Sequence, residues 1–186
     1  MKFEFDQNWH GNRTPVLNAY FLPLWEGKKD LRVLEIGSFE GRSTTWWFDN
    51  MDIKEMTCVD MWEDIPKLPE LKMDKIFENF KSNVGNRVNY IKSHSHDALM
   101  DMITDNKMFD FIYIDGSHMA RDVLFDAILS DRLLVSGGIM LFDDYLGGGN
   151  FPEIERVKKG FDFFYNNYKS KYDIIYSEYQ VCIKKK

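Results

Sequence analysis

The chain has 186 residues, of which 44% are hydrophobic and 16% aromatic, and its formal net charge is −6. These values are typical of one globular domain with a sizeable core, and they exclude a disordered chain. Acidic and basic residues are interspersed apart from a basic run at residues 184–186, so the clustered basic face that a nucleic-acid-binding protein needs is not expected.

Two cysteines, Cys58 and Cys182, lie within apolar strand-like runs, where we expect buried thiols without a metal or a disulfide. The first residues carry alternating charges and lack the apolar core of a signal peptide, and no run approaches the roughly 18 apolar residues of a membrane span. We therefore expect a soluble, cytoplasmic protein that binds neither nucleic acid nor membrane. The sequence does not decide whether the protein forms a homo-oligomer.

Short apolar runs alternate with longer amphipathic ones along the chain. The predicted order is strand 31–36, helix 43–51, strand 55–60, helix 73–84, strand 88–91, helix 95–103, strand 109–114, helix 121–133, strand 138–142 and helix 152–168, followed by strands 173–177 and 180–183. This alternation predicts a doubly wound α/β fold, with a mostly parallel seven-stranded sheet between two layers of helices. The last two strands are close enough for an antiparallel hairpin. We expect residues 1–30 to form an N-terminal helical cap on a single domain at 31–186.

A glycine-rich turn follows the first predicted strand. Gly37 would let the backbone approach a ligand closely, and Gly41 would let the next helix start tightly against the strand. Asp60 ends the second strand, roughly twenty residues farther on, where a carboxylate can accept both ribose hydroxyls of an adenosine. The pattern predicts a nucleoside-containing cofactor at the carboxyl ends of the strands.

Three acidic residues follow two later strands. Asp115 ends the fourth strand, and Asp143 and Asp144 end the fifth, so their carboxylates should converge at one edge of the sheet. Such acids repel one another unless a cation neutralises them or one is protonated, and oxygen ligands suit Mg²⁺ or a similarly hard cation. The alternative is that Asp143 or Asp144 only caps a turn.

Three motifs, in their order and spacing, resemble class I S-adenosylmethionine-dependent methyltransferases. They read VLEIGS at residues 33–38, FIYIDGSH at 111–118 and GGIMLFDDY at 137–145. The resemblance covers about residues 31–145 and is strongest to the catechol O-methyltransferases and the macrolide-sugar O-methyltransferases (methyltransferase family 24-like).

The resemblance implies S-adenosylmethionine as the cofactor. By position, it assigns the cofactor pocket to Glu35, Gly37, Ser38, Phe39, Gly41, Ser43, Asp60, Met61, Ser95, His96 and Asp115. The residues of the glycine turn would surround the methionine part, Asp60 would bind the ribose, and Met61, Ser95 and His96 would lie near the adenine. The alternative for His94 and His96 is that both are exposed residues at a helix start.

The resemblance also implies a metal site and a base. Acids at the positions of Asp115, Asp143 and Asp144 hold a divalent metal in these enzymes, although the catechol enzymes carry an Asn in place of Asp144. His118 stands where the catechol enzymes place the lysine that takes the proton of the substrate, and an imidazole suits that role near neutral pH. The implied reaction is metal-assisted O-methylation of a small-molecule hydroxyl; alternatively, His118 is an ordinary residue at a helix start.

No segment identifies the acceptor molecule. Residues 9–13 and 16–25 would form either a substrate wall or a plain core-capping helix, and the loop at 146–150 either a mobile lid or a place of close substrate approach. Three other functions stay open: a metal-independent methyltransferase, a non-catalytic S-adenosylmethionine-binding module, and, more remotely, an NAD-dependent oxidoreductase suggested by the spacing of Tyr165 and Lys169.

Overall fold

Seven strands form one sheet in the computed structural model, which describes residues 3–6, 14–64, 71–147 and 152–186. The strands are β1 Leu31–Ile36, β2 Ile53–Asp60, β3 Asn89–Lys92, β4 Phe109–Ile114, β5 Leu134–Phe142, β6 Tyr172–Ser177 and β7 Val181–Lys185. Their order across the sheet is β3-β2-β1-β4-β5-β7-β6, with β1 to β5 parallel and β6 and β7 antiparallel. The predicted fold class and the closing hairpin are confirmed.

Helices cover both faces of this sheet. They are α1 Thr14–Val16, α2 Arg42–Asn50, α3 Met73–Val84, α4 Ser95–Thr104, α5 Ala120–Leu133 and α6 Val157–Tyr168. A π-helical turn, Leu17–Phe21, and a 3-10 turn, Leu22–Trp25, continue α1 toward β1. Within the described ranges, no helix has the length and hydropathy that crossing a membrane requires.

Two predicted elements differ from the structure by more than two residues. The helix predicted at 152–168 is interrupted, because Arg156 is extended and pairs with Met119 as an isolated β-bridge; a 3-10 turn, Glu153–Glu155, precedes that break. The fifth strand begins at Leu134 and not at Gly138, since α5 passes directly into a strand that pairs with β4 from Phe109 onward.

The sheet separates two hydrophobic cores, because alternate residues of each strand point to opposite faces. Ile112 and Ile114 of β4 lie in the core that includes side chains of α4, α5 and α6, whereas Phe111 and Tyr113 lie in the core with those of α2 and α3. β4 is therefore buried on both faces, as its almost continuous apolar run predicts.

The segment before β1 covers the second of these cores. Leu17, Phe21 and Trp25, spaced four residues apart, are all buried. The ring of Phe21 lies 4.8 Å from that of Phe111 and 5.3 Å from that of Trp47. The described part of this segment thus acts as a core cap, while residues 9–13 lie outside the described residues.

The carboxyl ends of β1 and β4 touch where the strand order reverses. The N–H of Asp115 donates to the carbonyl of Ile36 at 2.8 Å, and a Cβ added at Gly37 would lie 2.1 Å from the carbonyl oxygen of Asp115. Gly37 has a φ of +88°, a left-handed conformation that favours glycine. Packing of the two strand ends therefore requires this glycine, a different reason from the ligand contact expected from the sequence.

We predict that Gly37→Ala destabilises the protein by about 3 kcal/mol or more, because the new methyl group meets backbone that cannot move aside without separating β1 from β4. Gly27→Ala is the matched control: Gly27 also has a positive φ, +74°, but nothing lies within 4 Å of an added Cβ. The free energy of unfolding of the control should fall by about 1–2 kcal/mol, which is the cost of a left-handed backbone conformation alone. Urea unfolding measures both losses, and equal losses would contradict the packing explanation.

Candidate active site

Four of the acids singled out from the sequence, Asp60, Asp115, Asp143 and Asp144, lie at the carboxyl ends of β2, β4 and β5, and the glycine turn follows the carboxyl end of β1. These strand ends form the edge where ligands of doubly wound folds bind. Neighbouring backbones hold the strand ends together, since the N–H of Gly37 donates to the carbonyl of Val59 at 2.8 Å and that of Asp143 to the carbonyl of Ile114 at 3.0 Å.

Gly41 joins the glycine turn to α2. It is the N-cap of that helix with a φ of +78°, and a Cβ added there would lie 2.9 Å from Val84 and 3.1 Å from Phe80 of α3. The helix therefore starts tightly, as expected, but the close neighbour is α3. In the same turn, the hydroxyl oxygen of Ser38 is buried near the carboxyl of Glu35.

Glu35 lies beneath the glycine turn and is fully buried. Its carboxylate accepts hydrogen bonds from the hydroxyl of Thr44, from Trp47 Nε1 at 3.1 Å and from the Cys58 thiol at 3.7 Å. Burial raises the pKa of the Glu35 carboxyl. These contacts give Glu35 a clear structural role: it fixes α2 on β1 and supports the turn from below.

Asp60 connects the glycine turn with the segment after β2. Its carboxylate accepts the N–H groups of Phe39 and Trp62, each at 2.9 Å, and Trp62 Nε1 donates to the Phe39 carbonyl at 2.8 Å. Phe39 and Trp62 both have a positive φ, 48° and 44°, so the carboxylate stabilises two unusual backbone conformations. Burial raises the pKa of Asp60. The neighbouring Met61 is partly exposed.

The start of α4 packs against α5. His96 Nε2 lies 3.8 Å from Asp126 Oδ1, both atoms are buried without a hydrogen-bond partner among the described residues, and the ring of His96 lies 5.1 Å from that of Phe125. His94 is exposed, as the alternative for that residue predicts. His96 is only partly exposed, because its ring packs against Asp126 and Phe125 of α5.

Asp115, His118 and Asp144 form a compact group. Each offers one ligand atom, and these atoms all lie within 4.8 Å of one another. His118 Nε2 lies 3.0 Å from Asp144 Oδ2, and Asp144 itself has a positive φ of 52°. His118, which sequence reasoning treated only as a base, is thus close enough to the two acids to bind the same ion.

Asp143 is not a member of that group, although it stands between Phe142 and Asp144 in the chain. Its carboxylate is buried and lies 3.0 Å from the hydroxyl of Tyr113, which also lies 3.1 Å from Asp115 Oδ2. Sequence reasoning missed Tyr113. The available signal was a phenol in an otherwise apolar, buried strand two residues before Asp115, because a buried hydroxyl usually needs a partner.

This arrangement concentrates negative charge. The single proton of the Tyr113 hydroxyl can be donated to only one of its two carboxylate neighbours at a time. The Tyr113 hydroxyl lies near both Asp115 and Asp143, and the His118 imidazole lies near Asp144. Carboxylate oxygens brought together in this way are suited to a hard divalent cation.

Comparisons with known proteins identify the family. Residues 34–145 match the family model described as a methyltransferase domain, and the chain belongs to that family. The predicted resemblance to methyltransferases is thereby confirmed.

Three similar proteins illustrate the relationship. Uncharacterized protein R132 of Acanthamoeba polyphaga mimivirus is 32% identical over 120 residues, which are 63% of this chain and 53% of that protein. Probable caffeoyl-CoA O-methyltransferase 3 of Dictyostelium discoideum is 26% identical over 132 residues, 69% of this chain and 49% of that protein. The chain spans about half the length of these curated relatives. The solved structure of the MycE methyltransferase from the mycinamycin biosynthetic pathway, in complex with Mg and SAH, has a TM-score of 0.67 at 15% identity, over 92% of this chain and 48% of that one.

Asp126 beside His96 yields a prediction on stability. Burial raises the pKa of the Asp126 carboxyl to about 6 from an ordinary value of 3.8, so the folded protein holds this proton more tightly than the unfolded chain does. The penalty for a buried charge is absent below pH 4 and complete above pH 6. Asp126→Asn cannot ionise at this position. We therefore expect its free energy of unfolding, relative to that of the wild type, to increase by about 2–3 kcal/mol when the pH is raised from 4 to 7.5. Urea unfolding at both pH values measures this gain, and a difference independent of pH would contradict it.

Proposed function

We propose that this protein is an S-adenosylmethionine-dependent O-methyltransferase that methylates a hydroxyl of a small molecule with the help of Mg²⁺ or a similar divalent cation. The observation that carries the proposal is the group of Asp115, His118 and Asp144 within 4.8 Å at the ligand-binding edge of the sheet. Membership of the methyltransferase domain family supports methyl transfer. The O-methyltransferase name of the Dictyostelium relative supports an oxygen acceptor, and the Mg and SAH bound to MycE support the cofactor and the cation.

The glycine turn fits the cofactor chemically. S-adenosylmethionine supplies an activated methyl group when bound. Ser38 offers a hydroxyl in the turn, and Asp60, although it accepts the N–H groups of Phe39 and Trp62, keeps lone pairs that can accept ribose hydroxyls. Asp60 thus serves both to hold the two loops and to bind the ribose.

The acid cluster fits a hard cation by its donor set. Asp115 and Asp144 supply carboxylate oxygens, and we expect these two residues to hold the ion. The chemistry that a divalent cation held by these residues would supply is to acidify and orient the acceptor hydroxyl. Asp143 does not bind the ion in this proposal. It helps to orient Asp115 through the hydroxyl of Tyr113, which lies near both carboxylates.

His118 performs the proton transfer in this proposal. It takes the proton of the acceptor hydroxyl while that oxygen bonds to the methyl carbon and the bond between carbon and sulfur breaks. Asp144 Oδ2, at 3.0 Å from His118 Nε2, orients the imidazole and stabilises its charged form. The glycine turn and the acids position the two reactants.

One observation favours a second candidate, a metal-independent methyltransferase. The contact between His118 and Asp144 is that of a general base with an orienting carboxylate, and such a pair can take a proton without a metal. Exhaustive chelation distinguishes the two candidates. Chelation should abolish turnover in the metal-assisted enzyme, with recovery on adding Mg²⁺, and should leave full activity in the metal-independent one.

We predict that His118→Gln lowers kcat by about 10²–10⁴-fold, the usual contribution of one acid–base group. Glutamine keeps the polarity of the side chain but cannot take a proton. The measurement is the release of S-adenosylhomocysteine with the best acceptor from a panel of hydroxylated small molecules. His94→Gln is the control, because His94 is exposed and is not among the proposed site residues. A wild-type rate for His118→Gln would reject this residue as the base.

We further predict that Tyr113→Phe weakens the binding of Mg²⁺ or Mn²⁺ by about 10–100-fold, because Asp115 loses the hydroxyl that orients it. Tyr172→Phe is a matched control that removes another buried hydroxyl, one that donates to Asp131 at 2.7 Å away from the cluster. Titration calorimetry with the metal alone measures the affinities. If both variants bind as the wild type does, Tyr113 does not act on the site.

A further inference from the structure

Gln180 is the residue immediately before β7, and its side chain is buried with only 1% exposure. Neither its amide nitrogen nor its amide oxygen has a hydrogen-bond partner within the described part of the chain. An unsatisfied buried amide costs free energy, and side-chain amides in protein interiors are normally paired. The arrangement therefore needs a partner from outside the described protein groups.

Gln180 lies next to the acid cluster. Phe142 and Val181 form the last pair in the register of β5 and β7, so the following residues on that side are Asp143 and Gln180. Alternation continued one residue past the strand ends would put both side chains on the face of Leu141 and Cys182, which also carries Tyr113. The unpartnered amide is thus at the same edge and on the same face as the candidate active site.

A second unpartnered group belongs to the same place. Tyr176 pairs with Cys182 across the hairpin and is 7% exposed, and its buried hydroxyl has no hydrogen-bond partner among the described residues. Burial raises the pKa of this phenol. Tyr176 and Cys182 belong to the same hydrophobic core as Tyr113, so this phenol lies on the face of the sheet that carries Tyr113.

Exposed aromatic side chains flank these buried groups. The ring of Tyr20 lies 5.8 Å from that of Tyr176 and is 54% exposed. Tyr179, next to Gln180, is also exposed, and its carbonyl accepts the N–H of Leu146 at 3.3 Å, which brings the segment after the acids alongside. Apolar surface around a few convergent polar groups is typical of a small-molecule site.

We infer that Gln180 and Tyr176 form a subsite for a second polar group of the methyl acceptor, and that this group is a neutral hydroxyl or carboxamide on an aromatic molecule. The inference rests on the proposed function and specifies its substrate class. An amide and a phenol each offer both a donor and an acceptor, which complements a group of the same kind. A carboxylate or phosphate is excluded from this subsite because Asp143 is beside it and like charges repel.

The first arm of the test measures stability without any ligand. Gln180→Met keeps the shape of the side chain and removes an amide that has no protein partner, so the melting temperature should stay the same or rise by a few degrees. Asn79→Leu is the matched control, because its buried amide donates to Glu40 at 3.0 Å and its loss should lower the melting temperature. If Gln180→Met lowers the melting temperature as much as Asn79→Leu does, the amide serves folding and the inference is wrong.

The second arm measures binding of three probes in the presence of S-adenosylhomocysteine and Mg²⁺. The probes are catechol, 3,4-dihydroxybenzamide and 3,4-dihydroxybenzoate; they share a diol that can chelate Mg²⁺ and differ in the third group. The wild type should bind the amide at least tenfold more tightly than the acid. Gln180→Met should reduce the ratio of amide affinity to catechol affinity about tenfold, which corresponds to one hydrogen bond, and Asn79→Leu should keep the wild-type ratio.

The outcomes separate this inference from the proposed function. An unchanged ratio in Gln180→Met, or a wild type that binds the acid as well as the amide, overturns the subsite. If the wild type binds S-adenosylhomocysteine but none of the probes, the acceptor class is wrong and methyl transfer still stands. If neither the cofactor product nor any probe binds, the proposed function itself fails.

Discussion

Contact between the ends of β1 and β4 is the constraint on which the candidate site depends. The two strands meet where the strand order reverses, and the space for a side chain at Gly37 is occupied by the backbone of Asp115 and Gly116. This contact sets the distance between the glycine turn, which is proposed to bind the cofactor, and Asp115, which is proposed to bind the cation. Methyl transfer depends on such positioning, because reacting groups held in line react far faster than groups that meet by diffusion.

Negative charge is the second determinant of the site. Asp143 is buried against the hydroxyl of Tyr113, and Asp144 is buried and near His118. Acids concentrated in this way oppose folding in the absence of a counter-charge, and functional sites are where proteins retain such unfavourable arrangements. A divalent cation would compensate the charge of the carboxylates and at the same time supply the chemistry that O-methylation needs.

The sequence predicts the fold and much of the position of the site, because both follow from local patterns. Apolar runs such as residues 109–114 identify buried strands, and an acid just after such a run must lie at the sheet edge, as Asp115 does. Interactions between residues distant in the chain were not predictable in this way. The bonds of the Glu35 carboxylate to Thr44 and Trp47 of α2 are one example. Arg156 interrupts a helix because it forms a β-bridge with Met119, 37 positions earlier in the chain. The helix propensities of neighbouring residues do not predict such a pairing.

The roles of Tyr113 and Gln180 also follow from tertiary structure. Strand register brings Gln180 beside Asp143, and alternation along β4 points Tyr113 toward the same acid. Neither relation is visible in a single sequence, since the register of a hairpin with a strand far away in the chain depends on the whole sheet.

The central claim is that Asp115 and Asp144 hold a divalent cation beside the glycine turn. A crystal structure with Mn²⁺ and S-adenosylhomocysteine, with anomalous diffraction used to locate the metal, tests it most directly. The account predicts one strong anomalous peak at bonding distance, about 2.0–2.3 Å, from carboxylate oxygens of Asp115 and Asp144. A structure with the cofactor product bound and no metal peak at these two acids would contradict the claim.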